Sequence, residues 1–280
     1  MEAQRIYDQV AMNCSRFATR AYSTSFSLGI LCLKRNLRNP IYAIYGFVRF
    51  ADEIVDTFSG HDKRKLLSQF KEDTYRAINE GISLNPILHS FQSTVRKYHI
   101  DLSSIELFLS SMEMDLERKT HDVKSLNKYI LGSAEVVGLM CLRVFVNGDD
   151  EEYQQLKPYA MRLGSAFQKI NFLRDIRADY HQLGRSYFPH IDVGQFNDEE
   201  KRKIELSILQ DFEEGLTGIK LLPGSSRFGV YVAYVYYFAL FRKIQNTPSQ
   251  LILNRRIRIA NRHKARLLAY SFFKHRFNLI

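Results

Sequence analysis

The chain has 280 residues, of which 45% are hydrophobic and 13% aromatic. This composition is ample for a packed core and excludes an intrinsically disordered protein. Lysine and arginine number 40 against 30 aspartates and glutamates, so the formal net charge is +10. Three cysteines, Cys14, Cys32 and Cys141, are an odd number at unrelated spacings, which argues against a disulfide framework or a zinc site and for a reducing compartment.

Apolar residues recur with the 3.6-residue period of an α-helix through most of the chain. This period predicts helices near residues 3–20, 40–58, 62–79, 83–98, 102–119, 125–146, 158–182, 198–220, 226–245 and 262–277. The six prolines are expected near helix starts or in loops. No segment alternates with the period of a β-strand, and no linker or internal repeat interrupts the pattern. The prediction is a single all-α domain over residues 1–280.

The last third of the chain is basic and free of acidic residues. From Gly215 to Ile280 the 12 lysines and arginines stand at positions 220, 227, 242, 243, 255, 256, 258, 262, 264, 266, 274 and 276. Such a segment fits nucleic acid, an anionic membrane, a diphosphate or plain solvent. Because no zinc-finger spacing or RNP-like motif accompanies the charge, we predict no nucleic-acid partner.

Neither a signal peptide nor a membrane span is predicted. The N-terminal segment lacks an apolar h-region. The longest strongly apolar run, Val230 to Phe241, has 12 residues, whereas a bilayer-spanning helix needs about 20. We therefore expect a cytoplasmic protein, and the basic segment predicts peripheral contact with anionic lipid at the inner face of the membrane.

Two carboxylate pairs of the form Asp-x-x-x-Asp carry the chemistry. The first is Asp52/Asp56 in YAIYGFVRFADEIVD. On a helix, residues three or four apart share a face, and the polar stripe of this segment contains Tyr45, Arg49, Asp52 and Asp56. A surface ion pair between Arg49 and Asp52, with Asp56 in solvent, would explain the same pattern, so this segment alone leaves both interpretations open.

The second pair, Asp175/Asp179, lies in GSAFQKINFLRDIRAD. Its polar stripe contains Gln168, Asn171, Asp175 and Asp179. Every one of these side chains offers an oxygen ligand, whereas a solvent-facing stripe favours lysine and glutamate. Mg²⁺ takes carboxylate oxygens and completes its shell with water and phosphate oxygens. Two such stripes together predict a site that binds Mg²⁺ and diphosphate.

With these motifs in view, the sequence resembles the squalene/phytoene synthase family of head-to-head isoprenyl condensing enzymes, and especially its bacterial phytoene synthases. The resemblance runs from about Ser23 to near Lys264. It is carried by SxSF at residues 23–26, YAIYGFVRFADEIVD, the MEMDL segment around Asp115, YILGSAEVVG from Tyr129, and QKINFLRDIRADYHQLGRSYFP. The last motif is long and specific.

The resemblance implies an all-α isoprenoid synthase fold with helices around a central apolar cavity. It implies that Mg²⁺, or Mn²⁺ in its place, is held by Asp52, Asp56, Asn171, Asp175 and Asp179. Charge-assisted bonds to the departing diphosphate would come from Arg49, Arg174 and Arg185. The further candidate substrate-binding residues are Ser23, Ser25, Phe26, Tyr45, Gln168 and Tyr187. Tyr129 is similar to a pocket tyrosine implicated in steering the catalytic steps.

The implied activity is that of a prenyltransferase in carotenoid biosynthesis. Two geranylgeranyl diphosphates would condense to phytoene through a cyclopropyl diphosphate intermediate. Squalene or dehydrosqualene synthesis from two farnesyl diphosphates shares every motif, because chain length depends on the depth of the pocket. The overall resemblance, the lack of a membrane anchor and the lack of a GxGxxG-like NADPH fingerprint favour phytoene. A terpene cyclase and a non-catalytic membrane-docking subunit are the remaining alternatives.

Two positions depart from the pattern of the family. Thr24 stands where many relatives carry a basic residue inside SxSF, so Arg16 or Arg20 is expected to supply that cation. Glu135 stands where a small residue is common; its carboxylate could stabilise a nearby cation or point to solvent, and the second is the expectation.

Overall fold

The computed structural model describes residues 2–117, 120–189, 196–254 and 256–277. Within these ranges the α-helices are α1 Glu2–Tyr22, α2 Thr24–Leu31, α3 Arg35–Asp56, α4 Lys63–Glu80, α5 Pro86–Tyr98, α6 Leu102–Glu117, α7 Val123–Ile130, α8 Val136–Phe145, α9 Asp150–Leu183, α10 Asp198–Leu221, α11 Gly224–Gln245, α12 Ser249–Asn254 and α13 Asn261–Arg276. A π-helical segment, Leu131–Glu135, joins α7 to α8. No strand forms in the described ranges, where one isolated bridge links Thr120 to Ser186. The predicted all-α fold is confirmed.

Most predicted helices agree with the structure to within a few residues. The helix predicted at 102–119 is described only as far as Glu117, and residues 118 and 119 lie outside the described ranges. The periodicity does not predict α2 and α12, because helices of 8 and 6 residues are too short to show a 3.6-residue period.

For two of the six prolines, the expected position near a helix start or in a loop is wrong. Pro40 lies inside α3 and Pro158 lies inside α9. Each lacks the N–H that would bond the carbonyl four residues earlier. The stronger signal for α9 is its N-terminus, where the Asp149 side chain accepts a hydrogen bond from the Glu152 N–H and acidic residues fill the first turn.

The segment predicted as one helix at 125–146 contains the π-helical turn. Gly132 in this turn packs against α6 so closely that a Cβ would lie 2.5 Å from the Leu107 carbonyl oxygen. Similarly, a Cβ on Gly164 of α9 would lie 2.8 Å from the Ala134 carbonyl oxygen. Glycine at both positions lets neighbouring backbones touch the turn. Such π-turns recur at functional sites.

The described apolar core is divided into clusters, two of which are large. One joins α3, α5 and α6, where the Phe47 ring stacks on Phe91 with centroids 3.9 Å apart. Another joins α9, α10 and α11 around Phe212, whose side chain is fully buried. Between them the helices leave an internal space. None of the described helices is long and apolar enough to cross a membrane.

Candidate active site

A cavity of about 370 Å³ lies between α2, α3, α6, α8, α9, α10, α11 and the π-helical turn. Its lining is predominantly apolar. The charged and amide side chains among the lining residues are Arg49, Asp52, Gln168 and Asn171. All four belong to the two stripes identified in the sequence. The cavity therefore has one polar end, formed where the two carboxylate segments approach each other.

The other end is closed by a hydrophobic group, here called the floor cluster, that comprises Leu139, Leu142, Val146, Tyr153, Leu156 and Leu222. Three of these, Leu142, Leu156 and Leu222, line the cavity. On α9 the lining residues extend from Asn171 to Leu156, a span of about 22 Å along the helix axis. The cavity thus combines one polar end with a long apolar interior.

The first carboxylate segment lies on α3. Arg49 donates a hydrogen bond to Asp52 at 2.6 Å and a second to Glu53. The Arg49 guanidinium also lies over the Tyr22 ring, 4.3 Å from its centroid. The ion pair between Arg49 and Asp52 is therefore present, but it lies at the cavity wall.

Arg185 connects the first segment to the second. α9 ends at Leu183 and is capped by Gly184, whose φ of 66° is left-handed and favours glycine. The Arg185 N–H then bonds the Asp179 carbonyl at 2.8 Å. Its guanidinium donates to the Asp56 carboxylate at 2.8 Å and lies 3.6 Å from Asp115. Asp56 of the first segment is thus paired with an arginine that directly follows the helix of the second segment.

Buried hydroxyl groups complete the surroundings of Asp115. Its carboxylate accepts hydrogen bonds from the Tyr129 hydroxyl at 2.8 Å and the Tyr187 hydroxyl at 3.2 Å. The Arg185 guanidinium also donates to the Tyr187 hydroxyl, at 3.4 Å. Tyr129 lines the cavity, so this network runs from the carboxylates to the apolar interior.

The second carboxylate segment lies on α9. The Asn171 amide donates to Gln168 at 3.4 Å, and the Tyr237 hydroxyl donates to the Asn171 oxygen at 3.4 Å. Asp175 accepts hydrogen bonds from the neighbouring Arg174 at 3.1 Å and from Arg256. The shortest contact between Asp175 and Arg256 is 2.7 Å. Arg256 reaches the site from the segment between α12 and α13.

Burial and mutual repulsion raise the pKa values of several carboxylates at the polar end. Burial raises the pKa of Asp52 to about 7, and the Asp56 carboxylate adds to the rise while Arg49 opposes it. Burial also raises the pKa of Asp179 to about 7, with further contributions from Asp175 on the same helix and Asp56 on the other segment. Burial likewise raises the pKa of Asp115 to about 6. Arginines compensate this negative charge only in part.

The donor set fits a hard divalent cation. In the described ranges, no three histidine, cysteine or acidic side chains are grouped closely enough to form a metal cluster. Instead Asp52, Asp56 and Asp175 are each paired with an arginine. However, facing carboxylates with raised pKa values and an adjacent amide oxygen are the ligands that Mg²⁺ prefers. A cation there would relieve the repulsion between them.

The SxSF segment begins α2. The Ser23 side chain caps the helix by accepting a hydrogen bond from the Phe26 N–H at 3.2 Å. Ser25 is half-buried in the first turn. The Phe26 ring lies 5.8 Å from the Tyr45 ring and 5.8 Å from the Tyr237 ring, at the cavity wall. Of the two serines, only Ser23 has a described role, which is to cap the helix.

The cation beside Thr24 differs from the one expected. The Lys264 ammonium donates to the Thr24 hydroxyl at 2.9 Å. Arg16 instead bonds the Asn39 side chain at 3.1 Å, and Arg20 is exposed. Lys264 is 240 positions away in sequence, so local sequence could not identify it.

Glu135 is half-buried, and the expectation that it points to solvent is wrong. Burial raises its pKa to about 6, and the nearby Asp211 carboxylate adds to the rise. Asp211 accepts hydrogen bonds from Ser165 at 2.7 Å and from Lys169 at 2.6 Å. Glu135 thus faces a polar group between α9 and α10.

Three residues of the site were not predicted as members. Arg256 lies in the acid-free basic segment, whose charge fits a diphosphate among other partners but identifies no single residue. Tyr237 lies inside the longest apolar run, which indicated only a buried helix. Asp115 falls in a motif of the resemblance but has no acidic partner at helical spacing. In each case the missing information is which helices are neighbours in space.

A family model described as squalene/phytoene synthase matches residues 19–263. The chain is similar to a phytoene synthase from Arthrospira platensis, with 27% identity over 255 residues that cover 82% of each protein. It is 26% identical to a 4,4'-diapophytoene synthase from Staphylococcus haemolyticus over 196 residues, 68% of this chain and 66% of that one. A solved dehydrosqualene synthase matches with a TM-score of 0.81 at 20% identity, over 96% of this chain and 98% of the other.

Proposed function

The chain belongs to the squalene/phytoene synthase family, a family of prenyltransferases, and from this membership we propose that it joins two geranylgeranyl diphosphates into phytoene. The observation that carries the choice of substrate is the similarity to the phytoene synthase from Arthrospira platensis, which covers 82% of each protein. The apolar lining of the cavity would bury the prenyl chain.

The polar end of the cavity would bind the diphosphates. Asp52, Asp56, Asn171, Asp175 and Asp179 would hold Mg²⁺, which when bound neutralises charge on the leaving diphosphate. Metal binding would withdraw the carboxylates from their arginine partners. Arg49, Arg174 and Arg185 would then be free to donate charge-assisted hydrogen bonds to the diphosphate oxygens.

The apolar end would protect the carbocations. Breaking the C–O bond of the first substrate releases one diphosphate, and attack by the double bond of the second substrate, followed by loss of a proton, gives the cyclopropyl diphosphate. A second ionisation, rearrangement and proton loss give phytoene, so no hydride is needed. Tyr129, held by Asp115, would border the reacting carbons. The walls exclude the water that would otherwise capture the cations.

Lys264 would serve the first diphosphate from an unusual position. Its ammonium, fixed at Thr24, lies at the start of α2, where the family resemblance implies a basic residue in the motif itself. We therefore assign to Lys264 the role expected of Arg16 or Arg20.

The second candidate is condensation of two farnesyl diphosphates to dehydrosqualene or squalene. It is favoured by the similarity to a 4,4'-diapophytoene synthase. Purified protein with Mg²⁺ should be given geranyl, farnesyl and geranylgeranyl diphosphates separately, with and without NADPH. Phytoene from geranylgeranyl diphosphate, equal in both conditions, is expected. A squalene-type product from farnesyl diphosphate, with geranylgeranyl diphosphate acting only as an inhibitor, would refute the substrate assignment and leave the fold unaffected.

Two wider features belong to the same proposal. The cavity is walled by helices from α2 to α11, which supports a single functional domain. The basic, acid-free segment after Gly215 supports peripheral contact with an anionic membrane, into which an apolar hydrocarbon product would partition.

A further inference from the structure

The outer face of α13 combines exposed aromatic rings with arginines. Phe273 is 60% exposed, and Phe277, directly after the helix, is 68% exposed. With 3.6 residues per turn, Arg262, Arg266 and Phe273 fall on the side opposite the buried Ser271. Arg276 and Phe277 flank the same side. We call these five residues the α13 outer face.

This helix is firmly attached on its inner side. The Phe228 ring of α11 contacts the rings of Phe272 and His275, with centroids 6.2 and 4.9 Å away. The Tyr236 hydroxyl donates to the Lys264 carbonyl at 3.0 Å. Because α13 is already packed through these contacts, the exposed phenylalanines are not required to hold it in place.

The charge of this face is also uncompensated. Across the described part of the chain, no carboxylate lies within ion-pair distance of Arg262, Arg266 or Arg276, whereas Arg256 is bound to Asp175. No acidic residue occurs between Gly215 and Ile280. Arg255 belongs to the same basic segment but lies outside the described residues. A partner for this face must therefore be anionic and must accept aromatic rings.

We propose that the α13 outer face docks on the surface of an anionic lipid bilayer. The phenylalanine rings enter the headgroup region and the arginines contact lipid phosphates. This inference rests on the proposed membrane contact and identifies the surface that makes it. α11, directly beneath α13, lines the cavity with Gly229, Val230, Ala233 and Tyr237. The docked enzyme would hold its cavity about one helix diameter from the lipid.

The expected effects are large enough to measure. Each arginine near an anionic surface contributes about a fivefold change in partitioning, so three contribute about 100-fold. Partial burial of the two phenylalanine rings contributes about tenfold or more. Since these side chains are exposed, their replacement should leave the fold intact, which thermal unfolding checks.

The test is co-flotation of the whole 280-residue chain with vesicles of phosphatidylcholine alone or mixed equally with phosphatidylglycerol. One variant replaces Arg262, Arg266 and Arg276 by glutamine, and another replaces Phe273 and Phe277 by serine. A charge-matched control replaces three exposed lysines of α4 and α7 by glutamine, namely Lys65, Lys124 and Lys128. An apolar control replaces two exposed leucines, Leu84 and Leu206, by serine.

The unmodified protein should bind the anionic vesicles and lose binding as salt is raised. Both α13 variants should lose most of this binding and both controls should keep most of it. An equal loss of vesicle binding in the lysine control would show that binding depends on net charge alone, and would overturn the assignment to α13. No binding by the unmodified protein would refute the membrane contact itself. Self-association that disappears in the phenylalanine variant would assign the face to a second copy of the chain, and would also overturn the inference.

Discussion

Replacing Leu156 by alanine should lengthen the cavity without changing any group at its polar end. Leu156 and Leu139 both belong to the floor cluster and are almost equally buried, at 4% and 5% exposure. Of these two leucines, only Leu156 lines the cavity. The pair therefore separates the effect of cavity length from the effect of weakened packing.

The magnitude follows from the three carbons removed. Each extra prenyl carbon that the cavity desolvates is worth about 0.8 kcal/mol. Three carbons give about 2.4 kcal/mol, which is up to about 50-fold in relative kcat/KM for the next longer substrate. Both Leu156→Ala and Leu139→Ala should lower the free energy of unfolding by about 3 kcal/mol.

The assay is a competition in one reaction vessel between C15, C20 and C25 prenyl diphosphates, with the hydrocarbons quantified by mass. Leu156→Ala should shift the product ratio towards longer chains, whereas Leu139→Ala should leave the ratio unchanged. The reasoning fails if the two variants shift the ratio equally, or if Leu156→Ala lowers total activity without changing the ratio. Thermal unfolding of both proteins verifies that their loss of stability is comparable.

The remaining predictions concern the polar end. Asp52→Asn or Asp175→Asn should reduce product formation at least 100-fold without unfolding the protein, because an amide is a weaker, uncharged ligand; near-normal turnover would disprove the metal assignment. The folded pKa values of Asp52 and Asp179, about 7, exceed the ordinary value of 3.8. The folded state therefore retains protons that the unfolded chain loses, and the free energy of unfolding should fall between about pH 4 and 7 in metal-free buffer. Added Mg²⁺ should then raise Tm more at pH 8 than at pH 5, and a larger effect at pH 5 would contradict this. Arg256→Gln should tighten Mg²⁺ binding several-fold in calorimetry without substrate, and unchanged affinity would argue against competition.

The helices and the two carboxylate stripes could be predicted because they depend on local periodicity. Asp52 and Asp56, or Asn171 and Asp175, share a face of one helix by spacing alone. The partners of these residues could not be predicted in the same way. The contact between Arg185 and Asp56 joins residues 129 positions apart, and it depends on how α9 ends and where α3 lies. Contacts of this kind are set by packing between helices.

The same limit applies to the interior. The apolar run of α11 indicates burial, but not that Tyr237 bonds Asn171 or that Gly229 and Ala233 line a cavity. Likewise, the period through residues 125–146 cannot distinguish an α-helix from one with a single π-turn, because one widened turn changes the register only locally. Pro40 and Pro158 show the opposite error, in which a local rule was applied where tertiary packing and a strong N-cap dominate.

The bond between Arg256 and Asp175 makes the segment after α12 sensitive to metal occupancy. Arg256 and a metal ion compete for one carboxylate, so each must weaken the binding of the other by the same factor. A bound ion would release the segment, and conditions that immobilise the segment would lower the affinity for the ion. Protease cleavage around residue 256 should consequently accelerate when Mg²⁺ is added to substrate-free protein. Because of this reciprocity, the state of the ion pair between Arg256 and Asp175 indicates whether a metal ion occupies the site.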